Sequence, residues 1–212
     1  MVSPTLRLER GLLRSGTRRL GAMDEVGRGS PAGPVYVGLV VVEAATGRPP
    51  GGIRDSKLLA GHEREALVHP IRRWAAAWSI GTADPGEIDA LGLTAALGLA
   101  GARALEALVD PPDLIVLDGN HDWLTPTAVG RVGRVPTVMT RIKADLTCTS
   151  VAAASILAKV ARDAVMVGLA TEHPEYGWES NKGYATGDHL EALRRLGPSP
   201  HHRVSWRLPD RV

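Results

Sequence analysis

Phenylalanine is absent from this chain, and cysteine occurs once, at Cys148. A single thiol rules out an internal disulfide framework and any zinc site built from several cysteines. With no Phe and only five Trp and three Tyr, the core must be made of Val, Leu, Ile and Ala. A Tyr beside a polar motif then becomes a candidate contact residue. No apolar run approaches the roughly 20 residues needed to cross a bilayer, so no membrane partner is expected. Residues 1–19 carry arginines but no apolar stretch ahead of a small-residue cleavage site, which argues against a secretory leader and for the cytoplasm. Neither charge is in excess: 25 Lys and Arg against 23 Asp and Glu give a formal net charge of +2. Bulk charge is therefore a poor argument for a polyanionic partner. The basic residues do gather at the two ends. Arg7, Arg10, Arg14, Arg18 and Arg19 load the first segment, and Arg194, Arg195, His201, His202, Arg203, Arg207 and Arg211 load the last. A solvated basic surface explains this, and so does a protein that clusters carboxylates for metal ions and needs cations to hold a polyanion nearby.

The length and the 44% hydrophobic content suffice for one substantial core, or a core plus a small lobe. Arg19 to Val26 reads as a strand ending in a Gly-rich loop, Gly27 to Pro34. Val35 to Val42 is a second strand, apolar enough for burial on both faces. After a turn at Thr46 to Gly52, Glu63 to Trp74 reads as a helix and Ala76 to Thr82 as a third strand. The short connections favour an antiparallel start to the sheet. Pro85 opens a single helix over Glu87 to Leu108, stopped by Pro111-Pro112. Leu114 to Leu117 and Thr137 to Ile142 are short strands, and a long helix runs from about Leu146 to Leu169. Interleaved strands and helices predict an α/β layer architecture. From Glu172 the chain turns Gly-, Pro- and charge-rich with one short helix, Gly187 to Leu196. The expected division is therefore 1–171 and a small C-terminal region, 172–212.

Acids fall where strands end: Asp24 and Glu25 on the first strand, Asp118 after Leu114 to Leu117, and Asp145 just after the Thr137 strand. Strand termini of an α/β sheet converge on one edge. Taken alone, Asp145 ahead of a helix could be only a cap. Four acids from separate segments instead suggest carboxylates whose repulsion is relieved by hard divalent cations with oxygen ligands. With no rival set of Cys and His, Mg2+ or Mn2+ is expected. Gly27-Arg28-Gly29 adds a close-approach backbone and a guanidinium fork beside the acids. Asp55-Ser56-Lys57 offers phosphate ligands or a simple helix-start turn. Tyr176 to Tyr184 interleaves rings with Asn, Lys and Gly, as nucleic-acid contact loops do. In that run Tyr176 and Trp178 are expected to pack, leaving Tyr184 for contact.

Together these blocks resemble the ribonuclease HII family. Asp24-Glu25-Val26-Gly27-Arg28-Gly29 with Ala32-Gly33-Pro34-Val35 is similar to its opening signature. Asp55-Ser56-Lys57-Leu58, Glu87-Ile88-Asp89, Leu117-Asp118-Gly119, Lys143-Ala144-Asp145, Ser150 to Val160 and Tyr176 to Tyr184 follow in order, and His202-Arg203-Val204-Ser205-Trp206 resembles its closing motif. The resemblance spans about residues 19 to 208, and its specificity lies in the ordered set. It implies a ribonuclease H-like mixed sheet flanked by helices, with a small helical C-terminal substrate-binding region. It further implies a monomeric endonuclease acting 5′ of ribonucleotides in RNA–DNA hybrids and in duplex DNA, as ribonucleotide excision repair requires. Asp24, Glu25, Asp118 and Asp145 would be the catalytic carboxylates of a two-metal site. Gly27, Arg28 and Gly29 would read the ribose 2′-OH, Tyr184 would stack on the next deoxynucleotide's sugar, and Ser56, Lys57 and Lys143 would touch phosphate. Type 3 ribonuclease H shares the fold but usually has Glu as fourth acid and a separate N-terminal domain. A DNA-only nuclease of this fold has no reason for the Gly27–Gly29 and Tyr184 pair, and a catalytically silent binding module has no need of all four acids. The loop Gly29-Ser30-Pro31-Ala32 lacks the bulkier residue many members carry before the Ala. The 121–136 segment is an insert in which Asp122 is read as a loop residue.

Overall fold

The structure is a computed structural model that describes residues 3–210; Arg211 lies outside them. Its centre is a five-stranded sheet in the order β3-β2-β1-β4-β5. The strands are β1 (Arg19–Val26), β2 (Val35–Glu43), β3 (Ala77–Ala83), β4 (Leu114–Asp118) and β5 (Thr137–Arg141). As the short connections predict, β1, β2 and β3 pair antiparallel, whereas β4 and β5 run parallel to β1. That parallelism puts the C-terminal ends of β1, β4 and β5 on one edge, so strand-end acids are delivered to one side of the molecule.

The pleat divides the core in two. Val35, Val37, Leu39 and Val41 of β2, with Met23, Ile115 and Leu117, face one cluster, which is closed by α3 (Pro85–Leu91) and α4 (Leu93–Glu106). Val40 and Val42, with Leu20, Ala22 and Val116, face the other, closed by α2 (Gly61–Trp74) and α7 (Thr149–Glu172). This period-two alternation with both faces buried is what a nearly continuous apolar β2 requires. The Ala-rich α7 lies so close to the sheet that a Cβ on Gly38 would collide with the Ala154 carbonyl. A third, smaller cluster joins Ala32 and Met166 to Tyr176, Trp178, Ala192 and Leu193, under α8 (Trp178–Asn181) and α9 (Gly187–Leu196).

Five parts of the chain differ from the sequence reading. Arg7–Arg14 forms helix α1, not foreseen because its arginines hide the apolar face on Leu6, Leu8, Leu12 and Leu13. The single helix expected over Glu87 to Leu108 is two, α3 and α4. Asp84 and Glu87 form a reciprocal capping box at the start of α3, and Gly92 breaks the run at φ +78°. The long helix expected from Leu146 starts as α6 (Ala144–Thr147), is interrupted at extended Cys148, and resumes as α7. The C-terminal region holds α8 and a 3₁₀ turn, Pro174–Tyr176, besides the expected helix. A small α5 (Thr125–Ala128) lies in the 121–136 insert, with Asp122 accepting from the Leu124 and Thr125 amides at 3.0 and 2.9 Å. Asp122 is thus a capping side chain.

Candidate active site

The edge where β1 and β4 end opens into a cavity of about 510 Å3. It is lined by Asp24, Glu25 and Asp118, by the Gly27-Arg28-Gly29 turn, by Ser56 and Lys57, by Ser155 and Lys159 of α7, and by Tyr184. Three of the four expected acids line it directly. Asp145, in the first turn of α6, joins through Lys57, whose Nζ lies 3.7 Å from its Oδ2. Asp118 also accepts from the Ala144 amide at 2.6 Å, which ties the end of β4 to the start of α6.

The acids perturb one another. Asp24 is only 5% exposed. Burial holds its carboxyl well above the usual carboxylate range, and Glu25, Asp118 and Asp145 push it further, against a Ser155 hydrogen bond that pulls it down. Burial raises Glu25 as well, opposed by Arg28, whose Nη1 sits 3.1 Å from Oε1. Asp145 is raised by burial and then by Asp118 and Asp55. Burial alone would lower Lys57, but the field of Asp55, Asp145, Asp24 and Asp118 outweighs it and the ammonium is stabilised. Among the described residues no three acidic, His or Cys side chains are gathered as a ready cage for a metal ion. Arg28 pairs with Glu25 at 3.1 Å, and Lys57 with Asp145 at 3.7 Å. The residues nevertheless fit divalent cations. The donor set is all oxygen, burial and then neighbouring carboxylates raise Asp24, Glu25 and Asp145, and Glu25 Oε2 is buried with no hydrogen-bond partner.

The other expected contacts fall unevenly. Ser56 lines the cavity, but its hydroxyl is buried and bonded to Ser155 Oγ at 2.9 Å. Asp55 fixes Lys57 through its backbone, accepting from the Lys57 amide at 2.9 Å. Lys143, in the left-handed region at φ +56°, is exposed and does not line the cavity. Tyr176 and Trp178 are buried and stacked at 5.1 Å, whereas the Tyr184 ring lines the cavity, 5.3 Å from Lys159 Nζ. Ser155 and Lys159 were missed from sequence. They lie four residues apart on α7 and therefore on one face, a spacing that could have flagged them once Ser150 to Val160 was read as a helix.

Two buried arginines were missed as site architecture. Arg162 of α7 and Arg203 of the closing segment are both 0% exposed, and they clasp the Gly27–Pro34 loop through its carbonyls. Asp89 draws in the closing segment, accepting from the Val204 and Ser205 amides at 3.0 Å each. Gly27 adopts φ +90°, and a Cβ there would meet Arg162 Nε and, at 2.8 Å, the Pro34 carbonyl.

The family model described as Ribonuclease HII matches residues 21–208. The Ribonuclease HII of Streptomyces avermitilis is 47% identical over 210 residues, covering 98% of this chain and 85% of that protein. Among solved structures, the ribonuclease H2 from Pyrococcus horikoshii superposes with a TM-score of 0.74 at 27% identity, covering 89% of this chain and 94% of its own. A chain of the PCNA:RNase HII complex from Archaeoglobus fulgidus superposes with a TM-score of 0.73 at 26% identity, covering 91% and 97%.

Proposed function

The chain belongs to the ribonuclease HII family and is a type 2 ribonuclease H, and from this we propose that it hydrolyses the phosphodiester 5′ of a ribonucleotide, both in RNA–DNA hybrids and at single ribonucleotides embedded in duplex DNA. The products are a 3′-hydroxyl and a 5′-phosphate. The observation that carries this reading is one cavity holding strand-end acids, a Gly-Arg-Gly turn and an aromatic ring.

Asp24 and Asp145 would hold one Mg2+ or Mn2+, and Asp24, Glu25 and Asp118 a second. Bound there, the cations supply Lewis acidity and a water of lowered pKa. Lys57 and Lys159 draw the phosphate backbone toward the acids. The Arg28 fork, released from Glu25, suits a phosphate oxygen. The backbone of Gly27 to Gly29 approaches the ribose closely enough to hydrogen-bond its 2′-OH, the group that separates RNA from DNA. Tyr184 packs on the following deoxyribose and excludes water there. Residues 172–212 serve as a small substrate-binding region beside the catalytic part, 1–171. Among the described residues no helix is long and apolar enough to cross a membrane; we assign the enzyme to the cytoplasm, as a monomer engaged in ribonucleotide excision.

The test is cleavage of a DNA duplex carrying one ribonucleotide beside an all-DNA duplex of the same sequence, with and without divalent metal. Metal-dependent cutting 5′ of the ribonucleotide alone is expected. Equal cutting of the all-DNA duplex would refute the assignment.

A further inference from the structure

Arg162 and Arg203 are fully buried, yet neither forms a salt bridge among the described residues. Both spend their donors on oxygens of two loops. Arg162 donates from Nε to Pro34 O (2.9 Å), from Nη2 to Ala32 O and Ser30 Oγ (2.9 and 2.8 Å), and from Nη1 to Lys182 O (2.9 Å). Its guanidinium also lies 5.2 Å from the Tyr184 ring. Arg203 donates from Nη2 to Gly27 O (2.7 Å), from Nη1 to Arg28 O (3.1 Å), and from Nε and Nη2 to Gly33 O (3.1 and 2.9 Å). Its other face covers Trp206, 4.7 Å away.

Burying two like charges side by side is costly. Desolvation and mutual repulsion bring Arg203 down to about 9. A purely structural plug would be better made of apolar side chains, so the carbonyl contacts need a reason. Peptide planarity supplies one. In a trans peptide the N–H points opposite to its own C=O. With the carbonyls of Gly27 and Arg28 turned onto Arg203, the N–H groups of Arg28 and Gly29 are turned away from it. Among the described residues no internal hydrogen bond takes up either one. Arg203 therefore sets the direction of the two free amides in the turn.

Arg162 extends the same frame to the tyrosine. Ser30 Oγ accepts from Arg162 and lies 2.7 Å from Gly183 O, so the loop before Tyr184 is tied to the loop after Glu25 both directly and through the guanidinium. The approach is close: a Cβ on Gly183 would stand 2.7 Å from Ala32 O. Lys182 is held at φ +51°, a region that side-chain-bearing residues seldom adopt, with its carbonyl on Arg162.

We propose that Arg162 and Arg203 are specificity-setting positioning residues. Arg203 aims the amides that meet the ribose, and Arg162 fixes their distance to the Tyr184 ring, so the site measures a ribose followed by a deoxyribose as one unit. The proposal rests on the reading of Gly27–Gly29 and Tyr184 given above. It needs no contact between either arginine and the substrate.

The test compares wild type with Arg162→Lys, which keeps the charge and loses the fork. The readout is the ratio of kcat/KM on a DNA duplex with one ribonucleotide to kcat/KM on a uniform RNA–DNA hybrid, with Mn2+ affinity measured by calorimetry in parallel. Loss of even one charge-assisted bond in the frame should lower that ratio about tenfold, chiefly through KM on the single-ribonucleotide duplex. Mn2+ affinity should stay unchanged, because no carboxylate is disturbed. A ratio equal to wild type, with both rates reduced alike, would overturn the proposal by making Arg162 a fold-stabilising residue only. Should Arg162→Lys not fold, Ser30→Ala removes the hydroxyl that joins Arg162 Nη2, Ala32 O and Gly183 O while leaving the guanidinium's bonds to Pro34, Ala32 and Lys182, and the same ratio decides. A wild type that cuts both substrates without preference would also overturn it while leaving the nuclease reading intact. A wild type that cuts neither would fail that reading itself.

Discussion

Replacing Asp24 by Asn should stabilise the metal-free protein while abolishing cleavage. Asp24 is 5% exposed, its protonation is favoured first by burial and then by Glu25, Asp118 and Asp145, and it has no cationic partner at salt-bridge distance among the described residues. Asn is nearly isosteric and keeps an oxygen for the Glu25 amide, which lies 2.8 Å from Asp24 Oδ1. Removing a charge that buried and that crowded should gain on the order of 1–2 kcal/mol, or roughly 2–8 °C in Tm for a chain this long. The raised carboxyl also gives the sign with pH. A folded-state pKa above the unfolded value contributes stability at low pH that is lost as pH rises through the folded value. The advantage of Asn should therefore grow from about pH 4 upward. Divalent metal should reverse the order. Wild type gains about 2.7 kcal/mol when free metal is a hundred times its dissociation constant, and the variant gains little. Thermal melts in EDTA and in Mn2+, at pH 5 and pH 8, read all of this. An Asp24→Asn variant less stable than wild type in EDTA at pH 8, or a wild-type Tm indifferent to metal, would refute the reasoning.

Gly27→Ala should lose cleavage of every ribonucleotide substrate and cost about 1–3 kcal/mol in urea unfolding, because φ +90° and the Arg162 contact leave no room for a Cβ; an active, equally stable variant would contradict this. Tyr184→Ala removes a ring-sized stacking surface, which should lower kcat/KM on a single-ribonucleotide duplex by about 10–100-fold, with Mn2+ affinity unchanged by calorimetry. His202 is held neutral down to about 4, first by burial and then by its neighbour His189, whose Nε2 is 3.0 Å away. The unfolded chain protonates near 6.5 while the fold resists, so stability falls as pH drops from 6.5 to 4, by up to about 3 kcal/mol. Urea titrations of wild type and His202→Gln should show the steeper acid loss in wild type, and parallel curves would contradict it.

Much of the architecture was legible because the sheet is built from local signals. β2 announces itself by an apolar run, and the antiparallel β1–β2–β3 start follows from short connections. Asp24, Glu25 and Asp118 could be brought to one edge simply because parallel strands share their C-terminal ends. The helices were harder. The apolar spacing of α3 continues into α4, so only the left-handed Gly92 separates them, and a periodic pattern does not report one dihedral angle. α1 was hidden by its own arginines. Asp145 was placed after the correct strand, but its link to the cavity runs through Lys57, a tertiary contact no spacing encodes. Arg162 and Arg203 were illegible as architecture for the same reason. A long Ala-rich helix gives no sign which of its cations faces inward, and burial of a charge is decided here by carbonyls that lie far away along the chain.

Manganese is the most direct probe of whether the four carboxylates serve together. Crystals soaked in Mn2+ and measured at its absorption edge should show anomalous peaks bounded by Asp24, Glu25, Asp118 and Asp145, with Lys57 and Arg28 displaced from the acids. Peaks elsewhere, or none at saturating metal with all four side chains unmoved, would contradict the account.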